Sequence, residues 1–184
     1  MNEKDLIILH NLKQGNTGAF RELFDFYYVP LTTYALKYCD SFDLAEDIVQ
    51  DLFVKFWDEQ LYIKLESALG PYLFTAVKNN TLQILKKKSK YRFEEIEEQA
   101  CSFIQEFDFD KSNLEAEKKK LHNQIEELPP KSKEVFKAIV LDNLKYKEVA
   151  LQYNISVNTV KTHYSRALKQ LRNSIGIIIL ILFS

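Results

Sequence analysis

Cysteine is nearly absent. Cys39 and Cys101 are the two in 184 residues, and they stand far apart in the chain. That excludes a disulfide-stapled fold and fits a reducing compartment. Histidine is as scarce: His10, His122 and His163 make no metal-ligand spacing with one another or with the cysteines, so no metal and no cofactor are expected. Four glycines and four prolines leave little material for the tight turns of a β-protein and point to an all-α chain. Only one run is almost wholly apolar, Ile175 to Phe183, interrupted by Gly176. It is about half the roughly 20 residues that a spanning helix needs, so no membrane span is expected. The tail 175–184 is expected to bury itself against its own domain; the sharper alternative is an exposed patch for a partner. Glu3 and Asp5 precede only a short apolar run at the N-terminus, which is not a secretory arrangement and leads to the expectation of a cytoplasmic protein.

What the chain does have is charge, and the charge is segregated. The net formal charge of −1 hides four blocks. Residues 1–70 hold 12 acids and 6 bases, and residues 71–92 hold 6 bases and no acid. Residues 93–120 hold 9 acids and 4 bases, and residues 121–184 hold 9 bases and 5 acids. Basic segments attract phosphates by releasing counterions, and acidic ones do not. Two nucleic-acid contacts in one chain are therefore expected, with a different partner for the acidic parts.

Helical periodicity runs through most of the sequence. Asp5 to Lys13 reads as a short amphipathic helix with Leu6, Leu9 and Leu12 or Ile8 inward, ended by Gln14 to Thr17. Gly18 to Cys39 reads as a longer one, which Pro30 should kink or break. Asp43, with Glu46 three residues on, is expected to cap the next helix. Its buried face is Ala45, Ile48, Val49, Leu52 and Phe56, and its outward row is Asp47, Gln50, Asp51, Val54 and Asp58. Pro71 is placed to open a helix from Tyr72 to about Lys90, whose far end is the basic KKKSKYR of 86–92. The stretch 93–113 is acidic with scattered aromatics and reads as a tether. Pro129-Pro130 stops one helix, and Lys131 opens another with Val135, Phe136, Ile139 and Val140 inward.

The stretch Tyr146 to Arg172 reads as two helices joined by a tight turn. Ala150 is small enough for close helix approach, Asn154 suits a left-handed turn position, and Ser156 can cap the second helix. From there Val157, Val160, Tyr164, Ala167, Leu168 and Leu171 fall on one face. The other face carries Asn158, Thr162, Ser165, Arg166 and Lys169, flanked by Lys161 and Arg172, with no carboxylate. Those residue types bond phosphates and base edges, and a second helix presented this way fits a major groove.

With its lead-in LPPKSKEVF (Leu128 to Phe136), this stretch resembles region 4 of bacterial sigma factors, in particular the extracytoplasmic-function (ECF) group. That family usually has Gly where this chain has Asn154. Asp47, Gln50, Asp51, Phe53 and Trp57 stand at the spacing of the family's region 2.2. The resemblance implies that Asp47, Gln50, Asp51, Val54 and Trp57 dock on the clamp helices of the largest subunit of core RNA polymerase. PYLFTAVKNNTLQILKKK is similar to regions 2.3 and 2.4, with Lys78-Asn79 for the usual Arg-Asn pair and Gln83 where an Asp is common. It implies −10 recognition and strand holding by Lys78, Asn79, Asn80, Lys86 and Lys87. The resemblance further implies −35 contacts from Asn158, Thr159, Lys161, Thr162, Ser165, Arg166 and Lys169, promoter DNA and an anti-sigma factor as partners, and no catalytic residue. The expected organisation is a region 2-like domain at 1–92, an acidic linker at 93–113 and a region 4-like helix-turn-helix domain at 114–174. The competing reading is a dimeric helix-turn-helix regulator with residues 1–92 as a sensor or dimerisation domain. The basic segment 71–92 beside an acidic helix argues against it, because a sensor has no need of one.

Overall fold

The computed structural model describes residues 3–66, 68–88 and 114–183. The acidic tether at 93–113, the end of the basic run at 89–92, and Cys101 lie outside the described residues. Among the described residues all regular structure is helical. The chain divides into two compact units, each with its own core.

The first unit holds α1 (Glu3–Lys13), α2 (Thr17–Ala35), α3 (Phe42–Asp58), a 3-10 turn (Leu61–Lys64) and α4 (Leu69–Lys88). α2 is its axis and packs on α1, α3 and α4. Leu23, Tyr27, Leu31 and Tyr34 of α2 are buried, against Ile8 and Leu12 of α1, Ala45, Ile48, Val49, Leu52 and Phe56 of α3, and Leu73 and Val77 of α4. Between α1 and α2 the Asn16 N–H bonds the Asn11 carbonyl and the Gly15 N–H the Leu12 carbonyl. That closure requires the left-handed Gly15, at φ 76°.

Several local expectations meet a different physical outcome. Pro30 neither breaks nor ends α2, which runs on to Ala35. Pro30 is buried with Leu31, Tyr34 and Ala35 beyond it, so burial on both sides of the proline outweighs the lost hydrogen bond. The cap of α3 is Ser41, whose Oγ accepts the Leu44 N–H at 3.2 Å. Asp43 stands in the first turn, and Glu46 faces inward, 5% exposed. α4 starts at Leu69 rather than after Pro71, because Leu69 and Gly70 are themselves buried. On α1 the inward residues are Ile8, Leu9 and Leu12, while Leu6 is exposed.

The second unit holds α5 (Leu114–Glu126), α6 (Pro130–Val140), α7 (Tyr146–Gln152), α8 (Val157–Gln170), a 3-10 turn (Arg172–Ser174) and α9 (Ile175–Leu182). Pro130 opens α6 from within its first turn, where a missing N–H costs nothing. The apolar tail is α9, which packs on α5 and α6 with Ile175, Ile177, Ile178 and Ile179 buried. Ser174 Oγ donates to Gln124 Oε1 at 2.8 Å and fastens its start to α5. Among the described residues no helix is long and apolar enough to cross a membrane.

Candidate nucleic-acid interface

The interface in the second unit is built by the turn between α7 and α8. Glu148 folds back to accept the Lys145 N–H at 2.7 Å and opens α7. At its other end the Ile155 N–H reaches the Ala150 carbonyl at 3.0 Å and the Asn154 N–H the Leu151 carbonyl at 3.3 Å. This pair of bonds needs a left-handed residue between helix and exit, and Asn154 supplies it at φ 50°. Ser156 is extended, and its Oγ accepts the Thr159 N–H at 3.0 Å. The orphan donors at the start of α8 are thus partly satisfied by the sequence itself.

One ring sets the rotation of α8 about its axis. Tyr164 is fully buried, 6.1 Å from Phe136 of α6 and 6.0 Å from Tyr146 of α7, ring centre to ring centre. Val160, Ala167 and Leu168 are buried on the same side, and Leu171 follows beyond the helix. His163 Nδ1 lies 3.4 Å from the hydroxyl of buried Ser132, a further tie to α6. Asn158, Thr162, Arg166 and Lys169 are then exposed, and Thr159, Lys161 and Ser165 are half-buried. At the end of α7, Tyr153 is half-buried and Leu151 is 82% exposed.

The cations of this unit are not equivalent. Lys133 and Lys137 of α6 bond the Glu126 carboxylate at 3.2 and 2.7 Å, and Lys133 also donates to the Glu126 carbonyl at 2.6 Å. The bond from Lys137, then that from Lys133, holds the Glu126 carboxyl down at about 2, well below its ordinary value. Lys131 and Lys118 pair with Glu134 and Glu115. Among the described residues Arg166 and Lys169 of α8 make no ion pair, and neither do Lys119 and Lys120 of α5 or Lys147 of α7. The last three were not singled out by the sequence. Pairing, which decides which lysines stay open, is invisible to periodicity.

In the first unit, α3 turns Asp47, Gln50, Asp51, Val54 and Asp58 outward, with Lys55 as the one base among them. Val54 is 58% exposed. Among the described residues Asp47, Asp51 and Asp58 make no ion pair. An apolar side chain ringed by open carboxylates suits a partner with a basic, partly apolar surface. Behind this row Tyr28 Oη donates to the buried Glu46 at 2.5 Å and lies 3.5 Å from Gln50 Nε2. Burial, and then the bond to Glu46, push the Tyr28 hydroxyl above the ordinary phenol range. Phe53 is buried at 2%. Trp57 is half-buried, its ring 4.8 Å from Phe20 and 6.0 Å from Tyr62, so it serves packing as well as surface.

α4 presents Thr75, Asn79, Gln83, Lys86 and Lys87 to solvent at three- and four-residue steps, and Asn80 is half-buried. No acid lies on this helix. Lys78 departs from its expected place. It is 2% exposed, with its Nζ 5.9 Å over the Tyr38 ring. A lysine one residue off the exposed stripe turns inward, and its long apolar stem is accommodated there. Direct contact with DNA is not open to it in this conformation.

Comparison with known proteins finds a separate match in each unit. The family model for Sigma-70 region 2 matches residues 23–91, and that for Sigma-70, region 4 matches residues 118–171. A "probable RNA polymerase sigma factor" of Haemophilus influenzae is 24% identical over 163 positions, covering 79% of this chain and 84% of its own. Two solved structures are each 20% identical. CnrH in complex with the cytosolic domain of CnrY covers 92% of this chain and 95% of its own at a TM-score of 0.42. The sigma factor RpoE with the anti-sigma factor NepR from Bartonella quintana covers 84% and 95% at 0.34. Those scores are too low to carry weight of their own.

Proposed function

The chain belongs to the sigma-70 family, with region 2 followed by region 4 as in its extracytoplasmic-function group, and from that premise we propose which residues make each contact. A protein of this family binds core RNA polymerase and directs it to promoters; it is a DNA-binding regulator of transcription initiation rather than an enzyme. The −35 element is read by α8 through Asn158, Thr159, Lys161, Thr162, Ser165, Arg166 and Lys169. The −10 element is held by the exposed stripe of α4, with Asn79, Asn80, Lys86 and Lys87 as contacts and Lys78 as an internal support. Basic groups that track a backbone beside amides that meet exposed bases suit a melted strand. The α3 row of Asp47, Gln50, Asp51 and Val54, with Trp57 behind it, is the polymerase-docking face. An anti-sigma factor is the expected regulator, and the cytoplasm the expected compartment.

The observation that carries the reading is the division of cations in the second unit: Lys133 and Lys137 of α6 are spent on Glu126 and Lys131 on Glu134, while Arg166 and Lys169 stay open on a helix without a carboxylate. Each small unit need bind only weakly, because two modules held on one polymerase gain from effective concentration. Footprinting of the assembled holoenzyme on a promoter tests it. Charge reversal at Arg166 and Lys169 together is expected to erase the upstream footprint and spare the downstream one. An upstream footprint that survives contradicts the assignment of α8.

A further inference from the structure

Two hydroxyls of α8 are not free to act as hydroxyls. Thr162 Oγ1 donates to the Asn158 carbonyl at 2.9 Å, so its single hydrogen is committed to the backbone of its own helix. Thr159 Oγ1 lies 2.8 Å from Ser156 Oγ and is held in the cap. Of the two, Thr162 is the exposed one, one helical turn beyond exposed Asn158 on the stripe that continues to Arg166. A threonine whose hydroxyl bonds the carbonyl four residues back offers DNA a lone pair and a methyl group, and no donor. In the major groove the thymine C5-methyl is the apolar group that sets that base edge apart, and a threonine methyl is a fitting partner for it.

We infer that Thr162 is a specificity-determining residue that reads a thymine in the −35 element by methyl contact. The inference rests on the assignment of α8 to that element. Exposed Asn158, whose amide is able to make a bidentate contact, supplies the neighbouring readout, for which adenine is the matching base. The two side chains stand about 6 Å apart along the helix axis, on the order of two base-pair steps. Removing one buried methyl costs roughly fourfold in affinity, and that sets the expected size of the effect.

The test removes the methyl on either side of the contact, in the DNA and in the protein. Holoenzyme made from the full chain and core RNA polymerase first selects −35 sequences from a randomised promoter library by run-off transcription. Each selected thymine is then replaced singly by deoxyuridine, which lacks only the methyl. At one position wild-type holoenzyme is expected to lose roughly fourfold in open-complex formation. Thr162→Ser holoenzyme should be indifferent to that replacement, and Thr162→Val holoenzyme as sensitive as wild type. Sensitivity retained by Thr162→Ser and lost by Thr162→Val would mean that the oxygen does the reading, and would overturn the inference. So would equal sensitivity in all three proteins, or sensitivity in none. Failure of the underlying assignment looks different. The −35 sequences selected would then be unchanged by Asn158→Ala and Arg166→Ala as well.

Discussion

Gly70 of α4 lies against the Tyr27 side chain of α2. A Cβ placed there would lie 2.9 Å from Tyr27 Oη. That hydroxyl cannot step aside cheaply: it is on a side chain 2% exposed and donates to the buried Asp5 carboxylate at 2.6 Å. Gly70→Ala is therefore expected to destabilise the chain by about 1–3 kcal/mol, through overpacking or the loss of the Tyr27 bond. Urea unfolding checks it; an unchanged midpoint would show that the contact relaxes freely. Burial, then the bond to Asp5, raise the Tyr27 hydroxyl above the ordinary phenol range. A raised folded pKa contributes stability that is complete below about pH 10 and is lost as pH climbs further, so the alkaline limb of stability should be shallower in Tyr27→Phe. None of this was legible beforehand. A glycine beside a proline reads as a loop, and the carboxylate and phenol that enclose it lie 22 residues apart in sequence.

Among elements, the turn from α7 to α8 was the most legible, because every device in it is local. Asn154 and Ser156 carry their conformations in their own side chains, and both were expected where they stand. Ser156→Ala is expected to lose about 1 kcal/mol. Asn154→Ala should lose a similar amount, about 1 kcal/mol, whereas Asn154→Gly should be tolerated, since only the backbone at φ 50° is demanded. Thermal melts of the three variants check the order; Asn154→Gly falling below Asn154→Ala would contradict it. Elements set by tertiary packing were less legible. The unbroken passage of α2 through Pro30 and the inward turn of Lys78 each depend on burial against other elements, whereas the cap of α3 is a local device that falls at Ser41, two residues before the expected Asp43. The junction of α5 and α6 makes a prediction of its own. Glu126 is held below its ordinary 4.5, at about 2, by Lys137 and Lys133. A depressed carboxyl contributes fully above about pH 4.5, and its contribution fades as pH falls toward about 2. The stability advantage of wild type over Glu126→Gln should therefore shrink across that acid window. A gap constant from pH 7 to pH 2 would show that the ion pairs do not matter.

At the scale of the whole molecule, the charge blocks of the sequence become three surfaces: open carboxylates around Val54 on α3, an acid-free stripe on α4, and open cations on α8. Their arrangement in two separate units suits a protein that two promoter elements and one polymerase hold at once. The tail that looked anomalous in the sequence is accounted for as well. α9 is a helix of its unit and buries most of its isoleucines there, as the plainer of its two expected roles required. Packing also shows which probe of the proposed docking face is clean. Trp57 supports Phe20 and Tyr62, so removing it confounds folding with docking, whereas Val54 and Asp51 project from the surface.

The most direct measurement of the central claim is run-off transcription by core RNA polymerase on pooled promoter fragments, with and without the chain. Discrete new transcripts are expected with the wild-type chain. They should fall by an order of magnitude or more, about 10-fold, with Asp51→Arg or Val54→Asp, while the circular-dichroism melts of both variants stay at the wild-type value. Absence of any new transcript, or full transcription by both variants, would contradict the account.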